Sequence, residues 1–172
     1  MADDIDIIDT VLSGPRYTPP GGQQAWYDID LTLRNNTGQT QYVVAEPRGI
    51  AYDAATHTLN LRLSDSQSIA PELERAQMMP HTPKQIAISP GSTEQIRVSV
   101  PGVIRRMLPP TGLSLPFESI DISGVEHVSC TIAYNTSPLV PVPSESATEK
   151  LRRHGAWGKR VTRTATVRQP KQ

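Results

Sequence analysis

Residues 25–35 read AWYDIDLTLRN, and their alternation decides the fold class. Successive side chains of an extended strand point to opposite faces, so every second residue shares a side. Polar and charged residues occupy one side of this stretch. The stretch therefore predicts a strand with one face in a core and one face toward solvent. The apolar side holds Tyr27, Ile29, Leu31 and Leu33.

The same two-residue period recurs along the chain and predicts short strands separated by turns rich in Pro, Gly and Asn. We expect one hairpin within residues 49–63 and a second within residues 84–100, the latter around the turn SPGST at 89–93. Further strands are expected near residues 4–8, 41–45, 117–123 and 126–134. The predicted core residues of these strands are Tyr42, Val44, Leu59, Leu61, Leu63, Ile86, Ile88, Ile96, Val98, Val100, Val128, Cys130, Ile132 and Tyr134.

About eight short strands of this kind predict an all-β protein, and an antiparallel two-sheet β-sandwich is the expected architecture. A closed β-barrel is the alternative. The 16 prolines disfavour long helices, because proline removes a backbone donor and clashes inside a helix. One short helix is expected at residues 70–79 (APELERAQMM), inserted between strands.

Cys130 lies on the inward side of the strand at 126–134, two residues before the apolar Ile132. A series of short alternating strands with such an inward cysteine resembles the immunoglobulin-like sandwich class. The sequence departs from that class in having no second cysteine and in placing Trp26 on the predicted solvent face. The resemblance implies an architecture and carries no function.

Composition divides the chain into three regions. Residues 1–136 carry the predicted strands and are expected to form the sandwich domain. Residues 137–149 (SPLVPVPSESATE) are rich in proline and serine and are interpreted as a linker. Residues 150–172 form an extended, basic C-terminal arm.

The arm concentrates positive charge in a chain whose formal net charge is zero. Residues 150–172 contain eight Lys or Arg residues and no acidic residue, whereas residues 1–149 contain nine bases and all 17 acids. Such an acidic body can attract its own arm as readily as the arm attracts a foreign polyanion.

The arm is not expected to be helical, because Gly155 and Gly158 interrupt it early and its later part is rich in Thr and Val. Residues 159–169 alternate as a strand does, and such a segment can add to an exposed sheet edge of its own chain or of a partner. The leading hypothesis is a non-catalytic accessory or assembly subunit that binds another protein, or a second copy of itself, through this arm. The predicted contact residues are Arg152, Arg153, Trp157, Lys159, Arg160, Arg163 and Arg168, with Trp26 as a separate aromatic contact.

Weak, salt-sensitive binding of nucleic acid through the arm is the alternative function, since clustered bases neutralise phosphates and Trp157 can stack on a base. An enzyme is the third hypothesis, with a site assembled from scattered residues such as Asp121, Ser123 and His127. The sequence contains no catalytic motif, nucleotide-binding loop or closely spaced set of metal ligands. No cofactor or metal is therefore expected.

The single cysteine excludes an intramolecular disulfide. The opening MADDIDIIDTVL lacks the positive segment of a signal peptide, and no stretch approaches the roughly 20 apolar residues that span a bilayer. These features predict a cytoplasmic protein with no membrane partner.

Overall fold

The computed structural model describes residues 3–17, 25–63, 82–107, 111–113 and 116–167. These residues form a mostly β structure with several sheets and one short helix. In chain order the elements are β1 (Ile5–Tyr17), β2 (Ala25–Asn35), β3 (Gln41–Val44), β4 (Gly49–Asp53), β5 (Thr58–Leu63), β6 (Gln85–Ile88), β7 (Thr93–Pro101), β8 (Val103–Met107), β9 (Phe117–Asp121), β10 (His127–Asn135), α1 (Ala147–Ala156) and β11 (Lys159–Thr166). The helix predicted at 70–79 lies outside the described residues.

β1, β2 and β7 form an antiparallel three-stranded sheet with β2 in the middle. The alternation predicted for β2 is confirmed on its apolar side. Its four predicted core residues, Tyr27, Ile29, Leu31 and Leu33, are all buried.

The opposite side of β2 is less open than the sequence predicts, because Asp28 is buried as well. Its carboxylate accepts two hydrogen bonds from the Arg16 guanidinium, at 2.8 and 3.1 Å, and one from the Ser99 hydroxyl at 2.6 Å. Hydrogen bonding from Arg16 is the main cause that lowers the pKa of Asp28. A carboxylate on a polar strand face is thus tied to both neighbouring strands.

The second sheet has six strands, and β10 lies in its middle. β11 pairs antiparallel with residues 127–134 of β10 and so occupies one edge of that strand. The other edge is shared by β5, parallel along residues 127–132, and by β3, antiparallel at residues 134–135. β4 extends the sheet from β5, and β6 extends it from β3.

The parallel pairing of β5 with β10 corrects the expectation of an antiparallel arrangement throughout. A parallel pair needs a crossover of a dozen or more residues, and the segment between β5 and β10 is long enough to supply it. Alternation within a strand reports its faces but not the direction of its neighbours, so the sequence pattern could not distinguish the two arrangements.

β6 and β7 are consecutive but pair in different sheets, β6 with β3 and β7 with β2. The predicted hairpin at residues 84–100 is therefore wrong, whereas the one at 49–63 is confirmed by the pairing of β4 with β5. Asn35 fixes the corner between the two sheets. Its fully buried side-chain amide donates to the carbonyl oxygens of Gln39 and Ile88, both at 2.8 Å. Its backbone N–H donates to the carbonyl oxygen of Ser92 at 3.0 Å.

The two larger sheets contribute to one hydrophobic cluster, and the separate hairpin of β8 and β9 adds Ile104 to it. The predicted core residues of β5, β7 and β10 are buried in this cluster. In β3 the prediction is confirmed for Val44, which is buried, and is wrong for Tyr42. Val43 belongs to the cluster, whereas Tyr42 is partly exposed and Val44 is buried outside the cluster.

Cys130 is buried on β10, as the sequence predicts, and its burial raises the pKa of the thiol to about 12. A neutral buried thiol is a poor nucleophile. We expect a thiol reagent to leave the folded chain unmodified at neutral pH and to react at once in denaturant. Rapid labelling of the folded chain, followed by mass spectrometry, would contradict this placement.

Gly158 connects α1 to β11 in the left-handed backbone region, with φ +74°. A Cβ at this position would overlap the carbonyl oxygen of Tyr134 on β10. Gly91 has nearly the same φ, +72°, but open space around it, which makes it a matched control. We expect Gly91→Ala to lower the free energy of unfolding by about 1 kcal/mol, the backbone penalty alone.

For Gly158→Ala we expect a loss of at least about 3 kcal/mol, because the backbone of β10 or β11 must also move. Urea denaturation of both variants measures the difference. Equal losses would show that the close approach of the two strands is not tight.

Candidate functional site: the C-terminal segment

The C-terminal segment, residues 136–167, follows β10 and has three parts. A proline-rich strap (residues 137–145) comes first, α1 follows, and β11 returns to pair with β10. The strand alternation predicted for residues 159–169 is present over Lys159–Thr166, and the sheet edge that this strand joins belongs to its own chain. The division of the chain at residues 136 and 149 stays a prediction, and α1 runs across the second of these boundaries.

Gln85 of β6 holds the middle of the strap. Its side-chain amide donates to the Leu139 carbonyl oxygen and accepts from the Leu139 N–H, each at 2.8 Å. The Leu139 side chain is itself buried, with 4% of its surface exposed. The strap is therefore anchored at Leu139 through both backbone and side chain.

Two residues of the predicted arm hold the strap on either side of Leu139. The Arg153 guanidinium donates to the Val140 carbonyl oxygen at 2.9 Å, and the Trp157 indole donates to the Ser137 carbonyl oxygen at 3.2 Å. The region interpreted as a linker is therefore fixed against the residues that follow it.

α1 begins at a capping motif that the sequence prediction overlooked. The Ser146 hydroxyl accepts a hydrogen bond from the Glu149 N–H at 3.1 Å, and the two residues have the spacing of a capping box. The expectation that no helix forms here was wrong because Gly155 falls in the last turn rather than the interior. Gly158 lies beyond the end of the helix, where a left-handed glycine commonly follows a helix.

Glu145 and Arg153 form an ion pair with two hydrogen bonds, at 2.9 and 3.0 Å. The Glu145 side chain is only 7% exposed. Hydrogen bonding from Arg153 lowers the pKa of Glu145, and the same bond raises the pKa of Arg153. Because Arg153 also donates to Val140, one guanidinium joins the strap to the helix.

The basic residues of β11 face the acidic start of the chain. Arg163 pairs with Asp3 and with Asp6, the latter at 3.2 Å from Nε to Oδ1. Lys159 Nζ lies 3.6 Å from the Asp4 carboxylate. The unequal charge distribution of the sequence is thus partly compensated within the chain, by the attraction that the acidic body exerts on its own arm.

A cavity of about 360 Å³ lies beside this contact and is lined in part by Asp4, Gln41, Tyr134 and Lys159. The Tyr134 hydroxyl donates to the Asp4 carboxylate at 3.3 Å. Burial, followed by the charge of Asp4, raises the pKa of Tyr134. The Asp4 carboxylate in the cavity wall is therefore already engaged by Lys159 and by the Tyr134 hydroxyl.

The remaining predicted contact residues of the arm differ in their surroundings. Arg160 donates to the Gly155 carbonyl oxygen at 2.6 Å and to that of Trp157 at 3.4 Å, which closes the connection between α1 and β11. Arg152 is exposed on α1. Arg168 lies outside the described residues.

Trp26 lies on β2 of the three-stranded sheet, whereas the C-terminal segment joins the six-stranded one. It is partly buried, in register with Arg16 of β1 and Pro101 of β7. Its indole nitrogen is buried and has no hydrogen-bond partner among the described residues. The structure thus does not bring Trp26 together with the other predicted contact residues.

Of the residues considered for catalysis, Asp121 and Ser123 are hydrogen-bonded to each other, whereas the His127 ring lies beside Thr166. His127 Nδ1 lies 3.5 Å from the Thr166 hydroxyl, and the Asp121 carboxylate accepts from the Ser123 N–H at 2.7 Å. The bond from Ser123 lowers the pKa of Asp121. Over the described parts of the chain, no three His, Cys, Asp or Glu residues are grouped to hold a metal ion, and no helix has the length and apolar character to cross a bilayer.

Comparison with protein-family models, with curated proteins and with solved structures gave no match for this chain.

The Glu145–Arg153 pair predicts a loss of stability in acid. The pKa of Glu145 is lower in the folded chain than its ordinary value of 4.5. The ionised carboxylate therefore stabilises the folded chain fully above pH 4.5, and this contribution is lost as pH falls through the pKa of the folded chain. We expect Glu145→Gln to unfold at lower urea concentration at neutral pH. The difference from the unsubstituted chain should shrink as pH falls below 4.5.

Glu94→Gln is the control, since Glu94 is an exposed acid on β7. It should change the urea midpoint little at either pH. A Glu145→Gln deficit that stays constant in acid would show that the ionised carboxylate is not its source.

Proposed function

We propose that this protein is a non-catalytic accessory or assembly subunit that binds another protein, or a second copy of itself, through its C-terminal segment. The supporting observation is that the strap and α1 are fixed to their own chain while they present apolar and basic side chains outward. Val140 and Val142 are 54% and 43% exposed. Pro141 and Pro143 are exposed beside them in the sequence, and Arg152 is exposed on α1.

This composition suits a protein interface. The exposed Val140 and Val142, together with the exposed prolines of the strap, are apolar side chains that a partner can cover. Arginine is enriched at interfaces, where it contributes both apolar contact and directed hydrogen bonds. Arg152 on α1 supplies such a residue next to the strap-holding Arg153.

We further infer that the two larger sheets pack face to face as a β-sandwich of immunoglobulin-like type. The hydrophobic cluster supports this arrangement, since it combines residues of β2 and β7 with residues of β5 and β10. The C-terminal segment then extends from β10 and returns to it as β11, which places the strap and α1 on the connection between neighbouring strands of one sheet.

The predicted contact residues take two roles in this proposal. Arg153, Trp157 and Arg160 hold the segment together through backbone carbonyl groups, and Arg163 holds β11 to the start of the chain. Arg152 is the basic residue that we expect to contact the partner. The segment is thus a positioned surface, and association does not require that a free arm first become ordered.

The geometry favours a protein partner over a polyanion. A phosphate backbone binds lysine and arginine that it can approach freely. Here the guanidinium of Arg163 is paired with Asp3 and Asp6, and the guanidinium of Arg153 is paired with Glu145. Phosphates would have to displace these carboxylates.

Point variants test the proposal better than truncation, because removal of residues 144–172 would also remove β11 from the edge of β10. We expect Val140→Asp and Arg152→Glu each to weaken self-association or partner capture at least about tenfold, the loss typical of a truncated interface residue. Light scattering measures self-association, and pull-down with the immobilised full chain measures capture. Glu94→Lys, an exposed charge reversal on β7, is the control and should bind normally.

Fluorescence anisotropy with a single-stranded oligonucleotide separates the alternatives. Binding that falls steeply with salt, is lost in Arg152→Glu and is retained in Val140→Asp would favour polyanion binding. If neither variant changes any association of the full chain, the C-terminal segment is not the binding surface.

A further inference from the structure

The strap has the composition of a polyproline II ligand. Residues 137–143 read SPLVPVP, and each proline fixes its own φ near the polyproline II value. A residue before proline is also pushed toward extended conformations, which affects Ser137, Val140 and Val142. Six of these seven positions are therefore biased toward the same extended geometry, and residues 138–142 are neither helix nor strand.

Most of the strap is exposed to solvent. A polyproline II helix has three residues per turn, so residues three apart share a ridge. Pro138 and Pro141 are both exposed, and so are Val140 and Pro143. Leu139 is buried, whereas Val142, three residues further on, is 43% exposed. Residues 138 and 140–143 of the strap therefore face outward, and Leu139 anchors the strap in the protein.

The side chains that hold the strap contact its backbone and leave its prolines and valines exposed. Gln85 bonds the N–H and carbonyl of Leu139, while Arg153 and Trp157 bond single carbonyl groups. A polyproline II segment already loses little conformational entropy on binding, and this anchoring lowers the loss further.

Beside the strap, α1 carries the exposed Arg152 together with the exposed Glu149. Glu145 at its end is engaged by Arg153, and the exposed Arg152 precedes Arg153 on α1. A partner groove that accepts the strap therefore gains from an acidic residue at its rim, close enough to meet Arg152.

We propose that the strap is a recognition element for a partner domain whose groove is lined by aromatic side chains and bordered by acidic ones. Grooves of this kind bind proline-rich segments by packing aromatic rings between the ridges of a polyproline II helix. Pro138, Val140, Pro141 and Pro143 occupy the groove, and Arg152 meets its rim. This inference rests on the proposed function, because it names the partner class of the same segment.

The test uses the folded full chain and a panel of purified SH3 and WW domains as probes. We expect at least one domain to bind in an NMR titration, with shifts confined to the strap and the adjoining face of α1. The double variant Pro138→Ala with Pro141→Ala should weaken this binding at least about tenfold, as expected for truncated anchor residues. Pro90→Ala, at the exposed turn between β6 and β7, is the control and should bind normally.

Val140→Asp with Val142→Asp is the second variant, since it keeps every proline and leaves the buried Leu139 intact. It should abolish binding while the amide spectrum of the sheets stays unchanged. The inference is overturned if no domain binds the full chain at the highest usable concentration while a proline-rich reference peptide binds the same domains.

The pull-down separates this inference from the proposed function. Capture that is lost in Arg152→Glu but unchanged in the double proline variant overturns the aromatic-groove partner and leaves the C-terminal segment as the binding surface. Capture that is unchanged in both overturns the inference and the proposed function together.

Discussion

The pairing of β11 with β10 is the constraint on which the C-terminal third of the structure depends. β10 is paired along one edge by β5 and β3, and its buried Val128, Cys130 and Ile132 fix it in the core. Its other edge would leave a row of backbone N–H and C=O groups without partners if β11 were absent. Because β11 must return to that edge, residues 136–158 are held close to the sheet.

The residues of the C-terminal segment fall into two groups: those whose contacts hold the segment against the protein, and those whose side chains are exposed. Arg153 and Trp157 resemble binding residues by type, but their donors satisfy carbonyl groups of the strap. Arg163 neutralises carboxylates of the acidic start in the same way. The surface left to the exterior is formed by smaller and less conspicuous residues, above all the valines and prolines of the strap.

Local alternation was sufficient to predict most strands and their buried faces, as Leu61 of β5 and Val98 of β7 show. Alternation could not predict which strands pair, because two alternating strands joined by a turn can form a hairpin or can belong to different sheets. The turn at 89–92 is a corner between sheets, and the buried amide of Asn35 that fixes it has no periodic signal. The spacing of Ser146 and Glu149 predicts the start of α1, whereas Gly155 and Gly158 disfavour a helix but fall only at its last turn and beyond its end.

The ion pair between Asp6 and Arg163 joins residues 157 positions apart in the chain. Contacts of such long range form late, since most of the intervening chain must be in place before they are favourable. During synthesis β10 emerges before β11, because it precedes β11 in the chain, and until then one edge of β10 is uncovered. In that interval the edge of β10 carries unpaired backbone groups on which another chain can pair.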